Sequence, residues 1–278
     1  MTSSADRPFA GSRTVTSLQN ETVKLVRSLE MRKARRETGL FVAEGTSLLV
    51  TARDAGWKPR ILVHGPGATD GAMARGLIQW AGAAGADCLD VSAPVLAKIA
   101  AKDNPQSLIG VFEQRFVAPP EPARLTSPAP WVVLEGIRDP GNLGTIIRTS
   151  DAAGAAGILL VGNTCDPFAH EAVRASMGSI FAVPLVRMEE AGFVALAAGW
   201  TGTVAGTHLK GASDFRTISY RAPVLLVMGT EGEGMTDRAA AACKTLVRIP
   251  MAGRLDSLNL AVATGLMLYE IQRGVLKI

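Results

Sequence analysis

The chain has 278 residues, 47% hydrophobic and 19% charged, enough apolar material for two packed cores and far from a disordered composition. No stretch approaches the ~18–20 unbroken apolar residues of a membrane span. Cys88, Cys165 and Cys243 are too scattered for a zinc cluster or disulfide framework, which points to a soluble protein of a reducing cytoplasm.

The net charge of +4 is unevenly placed. Residues 1–130 carry 16 Lys and Arg against 12 Asp and Glu, and residues 131–278 carry 13 of each. A polyanion would be gripped by the first half, although a solvated surface accounts for so modest a surplus equally well.

Residues 1–16 have no signal-peptide run and read as a flexible tail. Residues 17–38 read as one helix, with Leu18, Val23, Leu25, Val26 and Leu29 apolar and a cationic stretch of Arg32, Lys33, Arg35 and Arg36. That stretch is either a solvated face with intrahelical ion pairs or a phosphate grip. Strands are expected at 40–42, 60–63, 88–91 and 108–114, and helices at 44–55, 72–85 and 93–101, giving a small α/β domain over residues 17–116. Residues 117–130 hold Pro119, Pro120, Pro122, Pro128 and Pro130, a semi-rigid linker.

From 131 the alternation resumes. Strands are expected at 131–134, 157–161, 180–184, 202–205, 224–228 and 247–249. Helices are expected at 143–153, 171–177, 192–198, 238–243 and 258–273. Several strands are apolar at consecutive positions, the pattern of a mostly parallel sheet covered on both faces.

Three segments of this half carry chemistry. In LEGIRDPGNLGTIIRTSDAAGA, a strand enters a turn at Asp139–Asn142, and a helix follows with Leu143, Ile146, Ile147 and Ser150 on one face. Arg148 points away from that face. In LLVMGTEGEGM, a buried strand ends in Gly229, Gly232 and Gly234 with Glu231 and Glu233 between them, either a plain Gly-rich turn or a place where backbone meets ligand. In VRIPMAGRLDSLNLAVATGLMLYEIQR, a loop leads to a last helix for which Ser257 is the N-cap candidate, with Asn259 in its first turn. That helix is apolar nearly all round and asks for a partner chain.

In this order the three segments, with HEAVRASMGSIFAVP at 170–184, resemble the SpoU family of SPOUT methyltransferases, which methylate ribose 2′-hydroxyls of rRNA and tRNA. The segment LFVAEGTSLLVTARDAG at 40–56 resembles the ribosomal-protein-like substrate-binding domain often fused ahead of them. The resemblance implies a deep trefoil knot in the domain 131–278, S-adenosylmethionine as methyl donor, no metal, and a homodimer through the C-terminal domain.

The resemblance also assigns residues. It places the donor at Gly229, Ile249 and Leu258, with Thr207 and Met251 beside them, and catalysis on Asn142, Arg148, Glu231, Ser257 and Asn259. Apart from the resemblance, the clustered cations Arg32, Lys33, Arg35 and Arg36 are candidates for RNA contact, and Arg174 and His170 are further ones, although an exposed helix position explains either. The family role of Arg148 is general base. Bringing an arginine from ~13.8 to near neutrality would cost about 9 kcal/mol. A clamp on phosphate or on the forming 2′-oxyanion is the cheaper role. The leading domain favours rRNA over tRNA. Competing readings are a binding-only protein that keeps the fold and a nicotinamide-dependent enzyme. The second requires a GxGxxG where this chain has DPGNLG.

Overall fold

The computed structural model describes residues 11–100, 106–208 and 213–277. These fall into two compact units: the residues up to Gln114 together with Phe168–Phe181, and Arg115–Pro167 together with the chain from Ala182 onward. Residues 1–10 of the expected tail and Ala101 of the expected third helix lie outside the described residues.

The first unit begins earlier than expected. β1 (Ser12–Val15) pairs in parallel with β4 (Asp87–Val91), and Arg13 forms an ion pair with Asp87 at 2.6 Å. A strand whose partner lies more than 70 residues away leaves no local signature. The expected helix over 17–38 is two, α1 (Glu21–Ser28) and α2 (Arg32–Thr38). Asn20 caps α1 by accepting from the Thr22 and Val23 amides. Arg35 explains the break: it is buried, and its Nη1 donates to the carbonyls of Leu29 and Glu30 at 2.8 and 2.7 Å. Its guanidinium closes the C-terminal end of α1 and is withdrawn from any phosphate, which corrects its assignment to RNA contact.

The chain continues through β2 (Leu40–Glu44), α3 (Thr46–Asp54), β3 (Ile61–His64), α4 (Ala72–Ala83), β4, α5 (Ala93–Ile99) and β5 (Leu108–Glu113). The sheet order is β1-β4-β3-β5-β2, with β5 antiparallel to both its neighbours. Val23, Val26 and Leu29 of the α1 region pack with Val63, Leu89, Val95 and Val111 as one core.

The second unit runs through β6 (Trp131–Glu135), α6 (Pro140–Ala152) and β7 (Gly157–Val161), after which the chain returns to the first unit. There, α7 (His170–Ala175) and a 3-10 turn at Ser179–Phe181 pack on the first unit's sheet. The Phe168 ring lies 4.7 Å from Phe41, Phe181 lies 5.1 Å from both Trp57 and Phe112, and Trp57 Nε1 donates to the Phe181 carbonyl at 2.8 Å. Residues Phe168–Phe181 of the expected 131–278 domain thus group with the first unit. The strand expected at 180–184 is displaced: Ser179–Phe181 form this turn, where Phe181 packs on aromatic neighbours distant in sequence, and the strand starts only at Leu185.

Back in the second unit come β8 (Leu185–Met188), α8 (Glu190–Ala198), β9 (Val204–Thr207), β10 (Ser213–Asp214), β11 (Leu225–Met228), α9 (Asp237–Ala242), β12 (Thr245–Arg248) and α10 (Leu260–Ile271). The seven strands are all parallel, in the order β10-β12-β9-β11-β6-β7-β8. β6, β7 and β11 are buried at every position, as their apolar runs demand. The proline-rich linker lies against this unit: the Val117 amide donates to Leu185, and the Arg187 guanidinium sits 4.5 Å over the Phe116 ring.

Two helix starts differ from expectation. The turn at Asp139–Asn142 is the first turn of α6, with Asp139 as N-cap bonded to the Asn142 amide at 2.6 Å and Pro140 just inside, where its missing N–H costs nothing. Asn259, not Ser257, caps α10 by accepting from the Ala261 and Val262 amides. No helix among the described residues is long and apolar enough to cross a membrane.

His64 contributes to the first unit's pH response near neutrality. Its ring is buried, with Nε2 2.9 Å from Ser12 Oγ and Nδ1 3.7 Å from Asp90. Burial pushes its pKa below the ordinary 6.5, against the pull of Asp90. The unfolded chain then binds the proton more readily, so stability is complete above 6.5 and falls as pH drops through and below that value. Urea midpoints measured between pH 7.5 and 5 should decline in wild type. His64→Gln should flatten that decline, and an unchanged slope would assign it to other groups.

Candidate active site

The ends of the parallel strands set the site. β6, β7 and β8 progress toward one edge of the sheet, and β9 lies on the far side of β11. The direction of winding reverses beside β6 and β11, and crevices at such a reversal, outside the carboxyl ends of the strands, are where open α/β sheets bind ligands.

A cleft of about 230 Å³ opens there. Ile137, Arg138, Asp139 and Asn142 line one side, following β6, and Thr230, Glu231 and Glu233 line the other, following β11, with Leu260 at the start of α10. One carboxylate oxygen joins these segments. Glu231 Oε1 accepts from Asn142 Nδ2 at 2.7 Å, from the Leu260 amide at 3.1 Å and from Asn259 Nδ2 at 3.2 Å. Asn259 Nδ2 also donates to Asn142 Oδ1 at 2.9 Å, closing the triangle.

The structure thus brings together Asn142, Glu231 and Asn259. Among the described residues, neither Arg148 nor Ser257 shares a hydrogen bond with them. Arg148 is exposed on α6, six residues beyond Asn142, and so ~9 Å along the helix and about 120° around it. Ser257 is exposed in the loop between β12 and α10.

The proposed donor residues fall on neighbouring strand ends. Thr207 ends β9, Gly229 follows β11 and Ile249 follows β12, and these three strands are adjacent in the sheet. Thr207 Oγ1 lies 3.4 Å from Met228 Sδ. Met251 and Leu258 are exposed in the loop beyond β12. Arg174 is exposed on α7, and His170 Nε2 lies 3.4 Å from Glu44, both in the first unit.

Several residues that shape the site were not singled out from sequence. Glu135, buried at the end of β6, accepts from the Thr236 amide and hydroxyl at 2.9 and 2.7 Å, tying β6 to the start of α9. Its signal was a lone acid at the end of an apolar run. Cys243 lies near it, and burial, with Glu135 adding, pushes that thiol up to about 12, so it is an inert packing group. Arg138 and Glu233 form a loose ion pair at 3.9 Å at the cleft.

Gly229 is fixed by sterics. The loop after it turns through Gly232 and Gly234 at positive φ and closes with hydrogen bonds between Thr230 and Gly234. A Cβ at Gly229 would sit 2.2 Å from the Gly234 carbonyl carbon and the Met235 amide. Gly229→Ala should therefore cost ~1–3 kcal/mol and lower the melting midpoint by roughly 3–10 °C. A variant melting with wild type would mean that the loop gives way freely.

Comparison with known proteins bears on the family and the fold. The family model described as SpoU rRNA Methylase matches residues 130–269, and the MRM3-like substrate binding domain matches 20–110. The crystal structure of an AdoMet-bound rRNA methyltransferase from Sinorhizobium meliloti superposes with a TM-score of 0.84 at 46% identity, covering 96% of this chain and 100% of that one. An uncharacterized tRNA/rRNA methyltransferase of Synechocystis is 32% identical, over 93% of each chain. The 23S rRNA (guanosine(2553)-2′-O)-methyltransferase RlmP of Bacillus subtilis is 27% identical over 93% of this chain and 98% of its own. With a fully parallel sheet whose switch point holds the Asn142–Glu231–Asn259 triangle, and a family model spanning half its length, this chain belongs to the SpoU rRNA methylase family.

Proposed function

We propose that the protein transfers a methyl group from S-adenosylmethionine to a ribose 2′-hydroxyl of ribosomal RNA in the cytoplasm. The observation that carries this reading is the carboxylate of Glu231 holding Asn142, Asn259 and the first turn of α10 around a cleft beside three adjacent strand ends.

The residues present suit the donor. The backbone of Gly229, Ile249 and Leu258 flanks the strand ends, and Met251 and Leu258, each somewhat over one-third exposed, offer apolar surface to an adenine ring. When bound, the donor supplies an electrophilic methyl on a positively charged sulfur. The chain's own contribution is placement, which can gain ~7–11 kcal/mol when reactants are aligned. Asn142 and Asn259, fixed through Glu231, orient the ribose, and Ser257 flanks donor or substrate. Arg148, exposed and without a partner among the described residues, clamps phosphate or the forming oxyanion.

The first unit supplies RNA contact through exposed Arg32, Lys33 and Arg36, with Arg174 on α7. Lys33 pairs loosely with Glu37 at 3.9 Å. Homodimerisation is part of the proposal. Val262, Leu266 and Tyr269, spaced to share one face of α10, are 53%, 43% and 53% exposed, and a second copy of that face would cover them. The knotted path is proposed as well, supported by the return of the chain from β12 past the 229–234 loop to pack α10 on α6.

Arg148→Ala should lower single-turnover methylation of an in vitro 23S rRNA transcript by at least ~100-fold, while calorimetry gives donor affinity within about twofold of wild type. Wild-type turnover would remove Arg148 from the reaction. Neutralising Arg32, Lys33 and Arg36 together should weaken RNA binding and flatten its salt dependence by up to ~0.7–0.9 in log–log slope per lost contact. An unchanged slope would make this stretch a solvated face.

A further inference from the structure

The charge lining the cleft poses a problem for an RNA substrate. Asp139, Glu231 and Glu233 are acidic, and Arg138 is the single lysine or arginine lining it among the described residues. A phosphodiester entering this space meets a net negative wall.

Most of the amides at the two helix starts are already taken. Asp139 takes the Asn142 amide, Asn259 takes those of Ala261 and Val262, and Glu231 takes that of Leu260. The cationic side chain left to meet an anion at the cleft is the guanidinium of Arg138. It is four-fifths exposed and, among the described residues, held only by Glu233, itself equally exposed, at 3.9 Å. A solvated pair at that separation is easily exchanged for another anion.

We infer that Arg138 receives a phosphate flanking the target nucleotide, with Glu233 standing in for that phosphate until RNA arrives. The inference rests on the reading of this cleft as the place where the target nucleotide lies. The geometry favours arginine, since a planar fork grips two phosphate oxygens at once where an ammonium offers a point charge. Glu233 contributes selectivity: it repels an anion that does not engage Arg138 and is displaced by one that does. Arg138 binds substrate and takes no part in moving the methyl group.

The test uses the full-length protein loaded with S-adenosylmethionine, titrated by NMR with guanosine, guanosine 5′-monophosphate and guanosine 3′-monophosphate at fixed ionic strength. Wild type should bind at least one monophosphate several-fold more tightly than the nucleoside. Arg138→Ala should erase that ratio, Arg138→Lys should keep part of it, and Glu233→Gln should widen it. The same variants assayed on a 23S rRNA transcript should show Arg138→Ala raising KM more than it lowers kcat. Equal affinities of wild type for nucleoside and both monophosphates, or a ratio that survives Arg138→Ala, would overturn the inference. A ratio that depends on Arg138 in a protein that methylates no transcript would keep the phosphate site and overturn the methyl-transfer reading instead.

Discussion

One carboxylate oxygen of Glu231 organises the catalytic unit. It accepts from a side chain 89 residues earlier, a side chain 28 residues later and the backbone amide next to that one. Three segments unrelated in sequence thus share a single acceptor, and the start of α10 gains an anion where its exposed amides favour one. Removing that oxygen would leave Asn142 Nδ2 and the Leu260 amide seeking water and would free the cleft's two walls from each other.

The constraint works only because the sheet delivers its strand ends together. With all seven strands parallel, every loop that follows a strand emerges at the same edge. Gly229 lets the 230–234 loop fold back within van der Waals distance of its own strand end, and Glu135 fixes the next segment through Thr236. Glycine, glutamate and threonine act here on backbone position, and the chemistry depends on that position.

The first unit follows a different logic. Its cationic face is local, built on one short helix, whereas its interior draws on residues from far along the chain. The aromatic cluster of Phe41, Trp57 and Phe112 is completed by Phe168 and Phe181, which arrive after the first strand–helix–strand of the second unit has been laid down. Within the cationic stretch, Arg35 is diverted to the end of α1, because unsatisfied carbonyls inside a fold attract the nearest guanidinium more strongly than solvent does.

Patterns confined to a few residues were legible in the linear chain. Apolar runs such as Trp131–Leu134 and Val224–Met228 announced buried parallel strands, and the three motif segments named the family and its candidate residues. Pairing at long range was not legible. The strand at Ser12–Val15 and the return of 168–181 to the first unit each depend on partners that no short window contains. Side-chain type and local periodicity determine which elements form. Which oxygen meets which amide is decided only when the strands align, because a hydrogen bond is set by distances of a few ångströms between atoms that the sequence holds far apart.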